Sequence, residues 1–304
     1  MFFAALSGTN CFLNVDNLRR NFDLKFSSRM KKMLILPLLL VIFHGYGQYY
    51  YNDILSNDQG NRQYQLLKTA KIHKVKVTSF EADGKPSEGF FLEEEFTADW
   101  TKMTTSSNIS TGASSVLTSY YLTNRLRRTD ETKRGVETKT EYSYDEKGRV
   151  STITSTSMDT SLKSQSVETH IWQYKVNGLP DQMLKLKNKL DSTRITFVYD
   201  DLGNPAEEHW KKNNRELETY YYYYNDKHLL TDIVRFNKRV SKLLPDFLFE
   251  YDATGRLTQM TQVPANSSNY TTWKYVYTDS GLKKEEVCYD KQKNVIGKIE
   301  YAYE

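Results

Sequence analysis

Phe249–Met260 reads FEYDATGRLTQM. Aromatic residues at 249 and 251 alternate with polar ones as in a strand with one face turned inward. Asp252 then opens a turn, and Gly255 supplies the left-handed backbone of a bulge that matches strand twist. Leu257 and Met260 begin a returning strand. The same frame recurs at Tyr144 (YDEKGRV), Tyr174 (YKVNGLP), Tyr199 (YDDLGNP) and Tyr277 (YTDSGLK). At Tyr224 (YNDKHLL) His228 stands where the glycine would be, and Tyr303 falls one period further on. From Tyr144 to Tyr303 the spacings are 30, 25, 25, 27, 26 and 26 residues, so the stretch is one copy of a repeat. A weaker register continues upstream through Tyr120 with Asn124 and Phe80 with Gly84; Asn tolerates the left-handed conformation better than most residues, and His is enriched there too.

About 26 residues make two strands of about eight to ten and two turns, so each unit is a hairpin plus a connection. Two residues before each tyrosine stands another aromatic: Tyr142, Trp172, Phe197, Tyr222, Phe249, Tyr275 and Tyr301. Period-two alternation puts both on one face, with polar residues such as Glu141, Gln173, Glu250 and Lys274 on the other. Val198, Tyr221, Tyr223 and Leu248 break that alternation and imply cover on both faces of the central units. Fourteen aromatics at about 150 Å² each exceed what a soluble monomer exposes, so the face is core or a groove. The expected fold is all-β: an antiparallel meander of repeated hairpins forming a curved, single-layer or partly closed sheet.

YDEKGRV, YDDLGNP and YDATGRL resemble the YD repeats of the Rhs family, and the resemblance runs from Tyr120 to Glu304, more weakly from Phe80. It implies antiparallel β-strips on secreted or cell-surface bacterial proteins, where long arrays wrap a toxin. Here the Asp is replaced by Lys175, Asn225 and Thr278 in three units, and the array is too short to enclose a cargo. The resemblance therefore implies an exported β-repeat architecture and not toxin delivery.

Upstream of the array, Arg29–Lys32 (RMKK), the apolar run Leu34–Phe43 and the small-x-small triplet Gly45–Gly47 form a signal peptide over 29–47, cleaved between Gly47 and Gln48. Ten apolar residues are too few for a ~30 Å hydrocarbon layer, so no transmembrane helix is expected in the mature chain. Residues 1–28 read as a start-site overcall with Met30 as the true start. The leader is thus 1–47, residues 48–70 are an N-terminal segment with a short helix capped near Asn57 or Asp58 that covers the sheet's open edge, and 71–304 is the repeat domain. Cleavage removes six of 42 basic and two of 38 acidic residues, which leaves 36 of each and no charge that would recruit nucleic acid. Cys288 is then the single cysteine, without a neighbouring histidine or basic cluster, and is expected as a half-buried strand residue.

The histidines of the mature chain, at 73, 170, 209 and 228, lie in different units without metal-ligand spacing. No nucleophile elbow or phosphate loop occurs. No catalytic, cofactor-binding or metal site and no cofactor is therefore expected. The candidate ligand-facing residues are Trp172, Tyr174, Tyr222, Tyr224, Phe249, Tyr251, Trp273 and Tyr275. The expectation is a non-enzymatic scaffold, exported to the periplasm, outer surface or exterior of a bacterium, that binds a protein or a glycan. A carrier of a lipid or other apolar ligand is the alternative, and an envelope glycoside hydrolase a lower one. The terminal strand Lys298–Glu304 is expected to be exposed and able to pair with another copy.

Overall fold

The computed structural model describes residues 49–304 except 110–112, 238–239 and 265–266. The leader, its cleavage site and the start-site assignment lie outside the described residues. Among the described residues one helix, α1 (Asn52–Thr69), precedes eighteen strands. They are β1 (Lys74–Glu81), β2 (Phe91–Phe96), β3 (Lys102–Ile109), β4 (Ala113–Leu122), β5 (Arg125–Lys133), β6 (Val136–Tyr144), β7 (Val150–Asp159), β8 (Ser164–Tyr174) and β9 (Pro180–Lys187). They continue as β10 (Asp191–Tyr199), β11 (Pro205–Lys212), β12 (Arg215–Tyr224), β13 (Leu230–Asn237), β14 (Lys242–Tyr251), β15 (Leu257–Gln262), β16 (Thr271–Tyr277), β17 (Lys283–Tyr289) and β18 (Val295–Tyr303).

Each strand pairs antiparallel with its sequence neighbours, and β18 returns to β1, with Val75 opposite Tyr303 and Glu81 opposite Gly297. The sheet is therefore a closed up-and-down barrel, which corrects the expected curved or partly closed sheet. Lys298–Glu304 is not a free edge, because β1 takes up its hydrogen-bonding groups. Curvature comes from the repeat itself. At Tyr144, Tyr174, Tyr199, Tyr224, Tyr251 and Tyr277 the register slips by one residue, so each returning strand carries one extra residue and the local twist increases.

The turn chemistry explains why each motif residue is there. Asp200 Oδ1 accepts the backbone N–H groups of Leu202 and Asn204, Asp252 those of Thr254 and Arg256, and Asn225 those of Lys227 and Leu229. Thr278 Oγ1 accepts the N–H of Leu282 in the same way. Gly255 has φ +83° and His228 φ +58°, so His228 takes the left-handed position its place in the repeat demanded. The tyrosine hydroxyl ties each unit to the one before: Tyr174 donates to the carbonyl of Val150, Tyr251 to Leu230 and Tyr277 to Leu257, each at 2.7 Å. Arg256 is exposed, pairs with Asp252 at 2.8 Å and lies over the Tyr277 ring at 5.5 Å.

This ladder has one gap, since the Tyr224 hydroxyl finds no partner among the described residues. Tyr251→Phe is therefore expected to lower stability by about 1 kcal/mol, whereas Tyr224→Phe leaves it unchanged or slightly raised. Urea denaturation of the two variants side by side checks this, and equal losses would remove the ladder's assigned role.

Eighteen strands enclose a lumen too wide for inward side chains alone to fill. Here α1 and the preceding Tyr49–Tyr51 fill it. Tyr64 and Leu67 of α1 pack among Val75, Phe96, Met103 and Tyr121, with Tyr64 stacked on Tyr121 at 4.0 Å. Tyr50 packs among Trp172, Met183, Ile195 and Phe197, and Tyr49 among Tyr220, Tyr222 and Ile233. Asp58, Arg62 and Leu66, one face of α1, remain exposed.

The helix thus fills the interior and does not cover a sheet edge, and it starts at Asn52, ahead of the expected cap near Asn57 or Asp58. Asn57 is buried and donates to the Tyr144 hydroxyl. The helix ends in a Schellman arrangement, with Lys71 at φ +57° and the N–H of Ile72 donating to the carbonyl of Leu67.

Many outward positions on the strands carry charge or amide, as at Glu137, Lys139, Glu141, Gln173, Glu250 and Lys274, all exposed. This is the reverse of the alternation of membrane-spanning β-barrels, which are apolar outside. No described helix is long and apolar enough to cross a membrane. The expected second cover over the central units is not present among the described residues: Val198 and Tyr223 are 47% and 49% exposed.

Candidate functional site

The eight aromatic candidates fall on the inner face and separate into groups. Trp172 and Tyr174 surround Tyr50, Tyr51 and Ile54. Tyr222, Tyr224 and Phe249 surround Tyr49 and Leu55. Trp172, Tyr222 and Tyr275 are buried, whereas Tyr174, Tyr224, Phe249, Tyr251 and Trp273 are half-buried. Much of this aromatic surface is therefore occupied by the chain's own N-terminal segment.

Two polar clusters fix that segment. In the first, the fully buried Glu208 of β11 accepts the backbone N–H of Tyr50 at 2.7 Å and of Tyr51 at 2.8 Å. It also accepts Trp210 Nε1–H at 2.5 Å and the Tyr222 hydroxyl at 2.7 Å. Burial raises its carboxyl above the ordinary range even against these four donors.

In the second cluster, His170 of β8 lies between Asp53 of α1 at 2.7 Å and Glu168 at 3.0 Å, and Lys185 of β9 completes the row 3.0 Å from Glu168. Trp172 Nε1–H also donates to Asp53, at 3.2 Å. Burial disfavours a charge on His170, but the two carboxylates outweigh it and raise the imidazole to about 9. Glu168 is held down to about 2, against burial, by His170 and Lys185.

Between β2 and β8 the inner wall carries buried hydroxyl residues among the apolar ones. Thr105, Ser119, Thr129, Thr138 and Thr140 are buried with their side chains inward, and Thr138 and Thr140 hydrogen-bond across to Ser157 and Ser155. The Ser/Thr-rich runs Thr101–Ser119 and Ser151–Thr169 form β3–β4 and β7–β8, paired strands that line a chamber. A cavity of about 80 Å³ lies there between α1 and the wall, bordered by Glu94, Met103, Leu117, Ser119, Thr129 and Gly60. Burial pushes Glu94 up to about 7, and its Oε2 has no hydrogen-bond partner among the described residues. Cys288 is fully buried, beyond the half-burial expected, and burial pushes its thiol up to about 12.

Glu94, Glu208, Asp53 and the role of His170 did not emerge from sequence reasoning. Period-two alternation places His170, four residues before Tyr174, in the inward register of the repeat. A titratable group in an inward register was the available signal, but its partner lies 117 residues away.

No family model matches this chain, and no curated protein is similar to it in sequence. Among solved structures, a porin-like protein from Bacteroides uniformis aligns over 77% of this chain and 98% of its own length, at 10% identity and a TM-score of 0.32. A porin-like protein from Bacteroides vulgatus aligns over 77% and 98%, at 10% identity and a TM-score of 0.28. A chain of the Photorhabdus luminescens Tc holotoxin pore aligns over 67% of this chain and 15% of its own, at 13% identity and a TM-score of 0.26. Likenesses this weak support no functional reading.

Proposed function

We propose that this chain is an exported, non-catalytic β-barrel scaffold that engages a partner protein through the outer face of β10–β14. The observation that carries this is a group of apolar side chains gathered on adjacent strands, where the rest of the exterior is mostly polar with scattered apolar residues such as Phe91, Val116 and Val276. Tyr221 faces Val234 across β12 and β13, Phe236 faces Leu243 across β13 and β14, and Tyr223 and Val198 lie close by. Phe236 and Leu243 are 46% and 45% exposed. Mixed aromatic and aliphatic side chains suit the core of a protein interface better than a sugar platform. Export is supported by the leader and by the turn pattern of the repeats. A lipid carrier fits less well, because α1 and Tyr49–Tyr51 occupy the aromatic interior and the cavity described beside them is about 80 Å³.

A photo-crosslinking residue at position 223, introduced in the native host, is expected to give one discrete protein adduct, and the same residue at 141 none. The captured protein, once purified, should bind the double variant Tyr223→Ala/Phe236→Ala at least about tenfold more weakly. Equal adducts at 141 and 223, or unchanged affinity of the double variant, would overturn the assignment.

A further inference from the structure

We propose that the cavity beside Glu94 is a binding site for a small aliphatic ammonium ion. Glu94 is 6% exposed and borders the cavity, and its Oε2 has no hydrogen-bond donor among the described residues. Its cross-strand neighbour Thr105 likewise has a buried hydroxyl without a partner among the described residues. A buried carboxylate lacking a partner costs free energy that a cation at hydrogen-bond distance returns. Other buried acids have donors: Asp53 and Glu168 meet His170 and Lys185, Glu286 meets Lys283 at 2.6 Å, Asp246 meets Arg235 at 2.6 Å, Glu208 takes the four donors described above, and Glu131 accepts the Ser115 hydroxyl at 3.1 Å.

The rest of the wall selects the kind of cation. An ammonium head has three donors, and Ser119, Thr129 and Asn57 line the same cavity with side chains that carry oxygens. Met103 and Leu117 form an apolar wall that suits an alkyl chain and gives nothing to a metal ion, which requires a shell of oxygen ligands. Among the described residues no three His, Cys, Asp or Glu side chains converge to hold a metal. A volume of about 80 Å³ takes a few waters, or a molecule of about four to six non-hydrogen atoms. The helix contributes Gly60 to this wall, and a mid-helix glycine weakens a helix while its missing side chain keeps the space open. The site lies inside the barrel and is independent of the outer face assigned to a partner.

The test is calorimetric titration of the mature chain at about pH 8 with n-butylammonium chloride, set against 1-butanol and against potassium chloride at matched ionic strength. Saturable one-to-one binding of butylammonium is expected, and none of the neutral alcohol. Glu94→Gln keeps the shape and removes the charge, and it should weaken binding at least about tenfold. Gly60→Leu should abolish binding by filling the space while favouring the helix. A cooperative melt of each variant establishes that it is folded. Absence of saturable binding, equal binding by Glu94→Gln, or saturation by potassium alone would each overturn the proposal, the last in favour of a monovalent metal site.

Discussion

Glu208→Leu is expected to cost the barrel at least about 4 kcal/mol and to free Tyr49–Tyr51 from its interior. Exchanging a buried charge for an apolar residue of similar size is often neutral, because the desolvation cost disappears with the charge. The opposite sign is expected here because four donors stay behind. The N–H groups of Tyr50 and Tyr51, the Trp210 indole and the Tyr222 hydroxyl all converge on this one carboxylate. Each donor left without a partner in the core costs about 1–3 kcal/mol, reduced where the chain can relax toward water. The two backbone donors can relax only if the tyrosines leave, and that exposes the inner faces of Tyr220, Tyr222 and Ile233.

Glu208→Gln should lose less, since its carbonyl oxygen still accepts while its amide group meets donors it cannot satisfy. Urea denaturation followed by tyrosine and tryptophan fluorescence measures the loss. A chain beginning at Asn52 supplies the cross-check, because combining it with Glu208→Leu should cost much less than the sum of the two changes. Strict additivity, or a Glu208→Leu protein as stable as the wild type, would mean that the clamp does not hold the segment.

The parts of this fold that are written locally were readable. The period of about 26 residues, the turn at Asp252–Gly255 and the inward placing of Trp172, Tyr222 and Tyr275 follow from residues within one hairpin. Closure was not readable, because it joins Val75 to Tyr303, and neither strand carries a mark that distinguishes a free edge from a paired one. The helix start was misplaced for a related reason. Asn57 has the composition of a cap, but its amide serves the Tyr144 hydroxyl, while the helix begins where Glu208 pins the preceding backbone. The Ser/Thr-rich runs Thr101–Ser119 and Ser151–Thr169 read from sequence as either solvated strands or long loops, because hydroxyl side chains are usually exposed. Inside a lumen already filled on one side by aromatics, they form the wall opposite. The candidate site was legible only as a set of inward positions, since what those positions face is a segment distant in sequence.

The Asp53–His170–Glu168–Lys185 row should give the barrel an alkaline limit. His170 has a folded value of about 9 against an ordinary 6.5, so its contribution is complete below about pH 6.5 and is lost as pH rises through about 9. The shift corresponds to on the order of 3 kcal/mol across that window. Glu168 acts in the other direction: its contribution is present above the ordinary 4.5 and lost as pH falls through about 2. Asp53→Asn is expected to remove about 3–5 kcal/mol near pH 6.5, because it leaves the imidazolium buried with one partner fewer and weakens the tie between α1 and β8. As pH approaches about 9.5, still below ordinary tyrosine ionisation, the wild type loses its own imidazolium and the two curves should draw together. Urea denaturation at about pH 6.5, 8 and 9.5 tests this. Parallel curves would show that Asp53 acts through its bond from Trp172 and not through charge. Converging curves would show that the helix is held by a titrating pair, so that raising the pH loosens the interior of the barrel first at the side where α1 meets β8.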